Sequence, residues 1–384
     1  MCKKKNLGFI INFSHERWLG GSNYFSNLFE GVNLYTKNSI TIFTGIDKKK
    51  LNPNFRNYNI VYLSILDPNK KINILINYFR LLILILFNRD FILEKILNRY
   101  NIDILSHSVP LGKNSKIKSV HWIPDLQQFY LKELFSLKNR LKRWLDIHVS
   151  LKNASVILFS SKTVKKSFLK KYPNSKKKLL VLNFLNKLPK DKPKGKLTRK
   201  FTNYFLISNQ FWIHKNYDLV INGLIELKKQ KINPYILSTG TKFDWRSSDY
   251  YGKLIKKIKK NRLNNFIILG KVSREEQLSL MMNANYLINP SRSEGWNTGI
   301  EEAKSLKTDV IASNLDVHKE QLGSKGIYFE CDNYIKFSQI LKKKSFKRKK
   351  IKKINYNKLY TLNNYHFKKF ALNYENILTK INKL

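Results

Sequence analysis

Short apolar runs alternate with longer stretches of helical period along almost the whole chain, and this rhythm constrains the fold more than any other feature. It is the signature of βα units stacked around mostly parallel sheets. In the first half the strand candidates are residues 7–13, 39–45, 60–63, 102–106, 117–122, 155–159 and 179–184, with helical stretches at 24–34, 72–97, 131–149 and 163–172. Residues 187–196 break both periodicities with Pro189, Pro193 and Gly195 among charges, and read as an interdomain linker. The rhythm restarts with strands expected at 204–208, 234–238, 265–269, 286–289, 309–313 and 326–329, and helices at 217–229, 250–260, 274–283, 298–306 and 318–322. A length of 384 residues exceeds one ordinary domain. The expectation is two doubly wound α/β domains facing each other.

Composition supports folded domains, because 42% of residues are hydrophobic and 13% aromatic, which excludes wholesale disorder. The two cysteines, Cys2 and Cys331, leave no disulfide framework and no cysteine-rich metal site, as fits a reducing cytoplasm. No secretory signal is visible at the start of the sequence. The most hydrophobic stretch, 74–87, is interrupted by Asn77 and Arg80 and is shorter than a bilayer span, so it reads as a buried or interfacial helix.

Lys and Arg number 73 against 26 Asp and Glu, a formal charge of +47. That implies polyanionic partners, such as nucleic acid, an anionic membrane face or phosphorylated substrates, or else a lysine-rich compositional bias. The densest basic run is 342–353, read either as a solvated helix face or loop or as a contact to lipid headgroups. Beyond it Phe367, Leu372, Tyr374, Ile377 and Ile381 recur at helical spacing.

The richest chemistry lies in residues 288–305. A strand ends at Asn289, a loop of small and polar residues follows, and a helix opens near Thr298. In open α/β sheets ligands sit beyond the carboxyl ends of the strands, where a helix N-terminus offers N–H groups to a phosphate or sugar hydroxyl. Glu301, three residues after Thr298, is accounted for by a capping box. Glu294 on the loop and Glu302 in the first turn suit the positive helix end.

The run from Pro290 to Ala303 resembles the Glu-(seven residues)-Glu motif of retaining glycosyltransferases of the GT-B fold, in particular glycosyltransferase family 4. The resemblance implies that Glu294 lies against the donor sugar and Glu302 holds the nucleotide ribose. It has Gly295, Trp296, Asn297 and Thr298 line sugar and phosphate, the last three with backbone amides. Residues 209–216 resemble the family's diphosphate loop, with Asn209 at its start and Lys215 as the phosphate ligand. Gln210 and Phe211 stand where many members have an Arg, which leaves the second cation of the clamp unassigned. Gly20 and Gly21 match the glycine-rich loop near the donor phosphate, and 121–128 the loop placing a His or Asp against the sugar. His121 is thus a catalytic candidate with Glu294 and Lys215, while Trp122 and Asp125 are acceptor-side candidates. Val317, His318 and Gln321 also fall in a segment that matches the family.

By this resemblance residues 1–190 form an acceptor-side Rossmann-like domain, joined by a C-terminal helix at 366–384 crossing back to it. Residues 197–365 form the nucleotide-sugar domain. The implied chemistry is metal-independent transfer with retention from a UDP- or GDP-type donor, without cofactor. Departure of the diphosphate builds negative charge that Lys215 and helix-end amides would meet. The acceptor would be a glycan or a lipid-linked acceptor in cell-surface polysaccharide synthesis. The protein would be cytoplasmic, peripheral at the inner membrane face, with no specific nucleic acid partner. Two competing expectations are a nucleic-acid-binding protein, motivated by the charge, and a catalytically inactive GT-B scaffold, motivated by Gln210 and Phe211.

Overall fold

The computed structural model describes residues 4–244, 246–346 and 355–381, so Cys2 and residues 347–353 of the basic run lie outside the described residues. The chain divides into two units, the first comprising residues 1–128, 136–186 and 365–384, the second 129–135 and 187–364.

In unit 1 the strands β1 (Asn6–Ile10), β2 (Ser39–Thr44), β3 (Asn59–Tyr62), β4 (Ile104–Ser106), β5 (Lys118–Ile123), β6 (Val156–Phe159) and β7 (Lys178–Val181) form one sheet. Their order is β3-β2-β1-β4-β5-β6-β7, and every pair is parallel. The helices are α1 (Leu19–Tyr35), α2 (Lys71–Phe87), α3 (Phe91–Asn98), a short α4 (Gln127–Tyr130), α5 (Leu137–Asn153) and α6 (Lys162–Lys171). All four residues of β6 are buried, the continuous apolar strand expected where helices cover both faces of a parallel sheet.

Two expectations are revised here. The helical stretch 72–97 is two helices, because Asn88 turns left-handed at φ 52° and Asp90 caps α3 by accepting from the Leu93 amide at 3.0 Å. The stretch 131–149 begins instead at Leu137, where Ser136 caps α5.

In unit 2 the strands are β8 (Tyr204–Ser208), β9 (Tyr235–Thr239), β10 (Phe266–Gly270), β11 (Tyr286–Asn289), β12 (Val310–Ser313) and β13 (Ile327–Phe329). They run parallel in the order β10-β9-β8-β11-β12-β13. Helices α7 (Tyr217–Lys229), α8 (Tyr250–Lys260), α9 (Arg274–Asn283), α10 (Thr298–Ser305), α11 (Asp316–Leu322) and α12 (Tyr334–Ser345) complete it. Two clusters pack its sheet, one including Phe205, Val220, Ile288 and Phe337, the other Leu206, Leu278, Leu287 and Ile300.

Residues 187–196, read as a linker, are tied down at their second half. The amides of Lys194, Lys196 and Leu197 donate to Glu275 and Glu276, and that of Gly195 to Ser279, all on α9. These bonds satisfy backbone groups that a free linker would leave to water. The last helix, α13 (Tyr356–Ile381), passes from unit 2 into unit 1 at Tyr365. Phe367, Phe370, Ala371, Tyr374, Leu378 and Ile381 are buried there, whereas Leu372 lies off that face and is exposed. Gly31 of α1 permits the approach of α13, since a Cβ at Gly31 would come within 3.1 Å of the Ala371 methyl.

The strand orders fix where a ligand site can form. Each sheet reverses its winding once, between β1 and β4 in unit 1 and between β8 and β11 in unit 2. The crevice beyond the carboxyl ends of these strands is where open α/β sheets bind ligands.

Candidate functional site

At the switch point of unit 2, the loop after β8 (209–216) and the loop after β11 (290–297) meet. Asn216, left-handed at φ 57° and ψ 44°, joins them: its side-chain Nδ2 donates to the Pro290 oxygen at 3.2 Å and to the Cys331 oxygen at 2.8 Å. The Arg292 backbone amide in turn donates to the His214 oxygen at 2.8 Å.

This junction brings Lys215 Nζ to 2.6 Å from Glu294 Oε1, both side chains nearly buried. Burial by itself would raise the Glu294 carboxyl; the Lys215 ammonium outweighs it and holds the group below its ordinary value. Asn297 Nδ2 donates to the same carboxylate at 2.9 Å. A cation, a carboxylate and the start of α10 are therefore preorganised together, the elements that can meet a departing anion and orient a sugar.

Asn297 also does the work expected of a capping box at Thr298. Its Oδ1 accepts from the Ile300 amide at 3.0 Å, so Asn297 is the N-cap and Thr298 the first helical residue. Glu301 instead pairs with Lys304 at 2.9 Å and accepts from Gln321 at 2.9 Å. The reason is reach: an Asn one residue earlier satisfies the free amide first. Gln321 fixes the loop further, accepting from the Asn297 amide at 3.1 Å and donating to its carbonyl at 3.0 Å. The Asn297 backbone amide, expected to face the donor, is thus engaged by Gln321. Glu302 is buried in the first turns of α10, with its Oε1 2.6 Å from Arg274 of α9. Gly295 is buried in the same loop, whereas Trp296 is half-buried.

Around Lys215 the loop rests on a second network. Burial pushes His214 well below the ordinary histidine pKa, helped by Lys215, Arg246 and Arg292. Its neutral Nδ1 faces Arg246 at 2.8 Å, and Arg246 is held by Asp244 at 3.2 Å, which also accepts from the Ile213 amide at 2.8 Å. Asn209 has its oxygen bonded by Tyr217 at 2.7 Å. Gln210 donates to Thr241 at 3.2 Å, and Phe211 is buried on Tyr217 with ring centroids 4.3 Å apart. Neither stands in for a cation.

Sequence reasoning gave no role to Arg274, Gln321 or His318. His318 is fully buried, with Nδ1 2.9 Å from the Ser313 oxygen, and burial lowers its pKa while Glu294 opposes that shift. With the proton on Nδ1, Nε2 is an acceptor, and it has no partner among the described residues. The segment 317–321 carried the family resemblance, which was the available signal for His318 and Gln321. Arg274 had none, being one cation among many.

In unit 1 the candidates sit in a different chemistry. Gly20 and Gly21 lie inside the first turn of α1 rather than on a loop before it, with Trp18 at its N-cap. Gly21 is required there, because a Cβ would strike the Trp18 ring. Trp122 stacks on Tyr24 at 4.5 Å and on Trp18 at 5.9 Å, and its Nε1 donates to Ser160 at 3.2 Å. His121 is half-buried with Nδ1 3.2 Å from the Ser108 oxygen, and burial pushes its pKa down to about 4. Asp125 accepts from the Gln127 amide at 3.2 Å and faces Arg143 at 3.7 Å. The residue at the end of β4, His107, was not foreseen. It is left-handed at φ 55°, buried, and pushed down to about 3 by burial and by His121. Tyr24 lies 2.6 Å from its Nε2 and Ser106 2.8 Å from its Nδ1, while Tyr374 donates to Ser106 at 2.7 Å.

Comparison with known proteins bears on the fold and on the second unit. Residues 190–358 match the family profile described as Glycosyl transferases group 1. No curated protein matches the sequence significantly. Among solved structures, a glycosyltransferase from Rickettsia africae is similar at 15% identity with a TM-score of 0.67, all of both chains being covered. A sucrose-phosphate synthase from Thermosynechococcus elongatus is 14% identical with a TM-score of 0.72, covering 99% of each chain. The Anabaena HepE protein, solved in complex with UDP and glucose, is 12% identical with a TM-score of 0.68, covering 98% of this chain and 100% of its own.

Proposed function

We propose that this chain, which has the GT-B fold and whose residues 190–358 match the group 1 glycosyltransferase profile, is a glycosyltransferase that transfers a sugar, with retention at the anomeric carbon, from a nucleoside diphosphate sugar. The acceptor in this reading is a glycan or lipid-linked acceptor of cell-surface polysaccharide synthesis, and the enzyme works in the cytoplasm, peripheral at the inner membrane face. The observation that carries the donor half is the convergence of Lys215, Glu294 and Asn297 at the switch point of unit 2.

In the proposed mechanism the diphosphate takes over the Lys215 ammonium, which in the free protein is paired with Glu294. As the glycosidic bond breaks, the electron pair stays on the phosphate oxygen, and Lys215 with the first amides of α10 stabilises that charge. Glu294, released from Lys215 but still bonded by Asn297, orients sugar hydroxyls. Glu302 accepts from the ribose, with Arg274 holding its other side in place. The acceptor hydroxyl attacks the face that the diphosphate leaves and passes its proton to the departing phosphate oxygen, so configuration is kept without a covalent enzyme intermediate. A cationic clamp of this kind supplies the charge that a metal ion would otherwise supply, and we assign the reaction no metal and no cofactor. UDP is the first base to test, since HepE, of the same fold, was solved with UDP and with UDP-glucose.

A thermal-shift panel of UDP, GDP, ADP and their sugar conjugates, with magnesium or with a chelator, tests this reading. One nucleotide class should raise Tm equally in both conditions, with about 2.7 kcal/mol of stabilisation at a hundredfold excess over Kd. No shift with any nucleotide would defeat the donor assignment and favour the inactive-scaffold reading that Gln210 and Phe211 motivate.

A further inference from the structure

Helix α2 turns its polar side toward the protein and its apolar side outward. Its buried residues are Asn73, Arg80 and Leu84. Asn73 donates to the Ser64 and Asp67 oxygens at 2.7 and 2.8 Å, and Arg80 forks onto Asp90 at 2.8 and 3.0 Å. By contrast Leu75, Tyr78, Phe79, Leu82, Leu86 and Phe87 are each more than half exposed. A helix that packs against a core in water has the opposite polarity. A continuous apolar surface of this size marks an interaction site.

A second helix of unit 1 has a related surface. On α5, Leu137, Leu141 and Trp144 recur at intervals of four and three residues and are 78, 65 and 47% exposed. Lys138, Arg140, Lys142 and Arg143 flank this stripe, and the first acidic residue of α5 is Asp146. An apolar stripe edged by cations, with Trp at the boundary, is the composition of a helix lying in a lipid interface. The connections β3 to β4 and β5 to β6 cross the sheet in the same direction, so right-handed crossovers put α2 and α5 on one face of it.

We propose that this face of unit 1 docks on an anionic lipid bilayer, α2 inserting its apolar side at the boundary of headgroups and acyl chains, α5 laying its cations on lipid phosphates. Charge selects lipid over a second copy of the chain. At +47 two copies repel, and a two-fold contact would set the α5 cations of one against those of the other, whereas anionic headgroups attract both. Insertion stops at the interface. No single described helix is long and apolar enough to cross a membrane, and α3, bent by 100° from α2, buries Leu93 and Leu97 in unit 1. The inference deepens the peripheral-membrane part of the proposed function and needs nothing from the donor chemistry, since no residue of either helix belongs to the donor loops.

The test is co-sedimentation of the full chain with vesicles of phosphatidylglycerol and phosphatidylcholine, against phosphatidylcholine alone, at low and physiological salt. The triple variant Phe79→Ser, Leu82→Ser, Leu86→Ser and the double variant Lys138→Glu, Lys142→Glu are compared with the parent. The parent should partition onto the anionic vesicles, with each variant weakening that about tenfold or more and added salt weakening the parent likewise. Both variants should keep the parent's Tm and its nucleotide-induced shift, which separates loss of docking from misfolding or a wrong donor site. A parent left in the supernatant with anionic vesicles at low salt overturns the proposal, as does unchanged binding by either variant. A concentration-dependent dimer in sedimentation equilibrium that the triple variant dissolves would assign the face to a second copy instead.

Discussion

The two units share one winding plan and end their central strands in opposite chemistries. Beyond β8 and β11 of unit 2 the crevice is ionic, with Lys215 on Glu294, Arg274 on Glu302 and Arg246 on Asp244. Beyond β1 and β4 of unit 1 it is aromatic and neutral, with Tyr24, Trp122 and Phe25 packed around an uncharged His107. The same fold therefore hosts a site that handles charge and one that excludes it, and the side chains at the strand ends make the difference. Fold alone would not assign these roles.

The strongest way to break the contrast is to discharge unit 2. Lys215→Ala should lower kcat/KM for sugar transfer about a thousandfold, the scale of removing a group that stabilises a developing anion. Because that variant also strands a buried carboxylate, the double variant Lys215→Met, Glu294→Gln provides the control: it should melt near the parent and remain inactive. Full transfer activity in either would remove the ionic crevice from the chemistry.

Acid should expose what unit 1 costs. The folded pKa of His107, about 3, lies below its ordinary value of 6.5, so between the two the unfolded chain takes up a proton that the folded chain refuses. Stability falls as pH drops through that window, by about 3 kcal/mol between pH 6.5 and 4 for His107 alone. His121, at about 4, acts in the same direction. Urea melts from pH 7 to 4 measure it, and His107→Asn should flatten the profile; an unaltered slope would show that His107 is not the group held neutral.

The smallest effect sharpens the anatomy of α10. Asn297→Ala should cost about 1 kcal/mol as a lost N-cap and should also lower transfer by freeing Glu294, whereas Thr298→Ala should leave stability within about 0.5 kcal/mol. Equal losses in the two melts would restore the capping box.

Much of this was legible beforehand. Every strand expected from apolar runs is present within a few residues, and for central strands such as β6, buried along its whole length, the reason is that burial on both faces needs a continuous apolar run. The break between α2 and α3 was also written locally, in Asn88 and Asp90, but helical periodicity continues across it and hid the turn. The cap of α10 was misread because Thr298 and Asn297 are both good capping residues and spacing alone does not rank them. Trp122 and Asp125, singled out by motif, face neighbours that only packing reveals, the Tyr24 ring and Arg143.

The sequence by itself determined the type and order of the strands and of most helices, since these depend on residues close together in the chain, and it marked Lys215, Glu294 and Glu302 as candidates only by resemblance. The tertiary structure decided what those residues meet. Lys215 and Glu294 are 79 positions apart and become an ion pair only where β8 lies beside β11. Likewise the apolar run 74–87 reads equally as core or surface from its composition, and its outward face is set by Asn73 and Arg80 finding their partners in unit 1. Burial belongs to the partner as much as to the residue, and the partner is chosen by the fold.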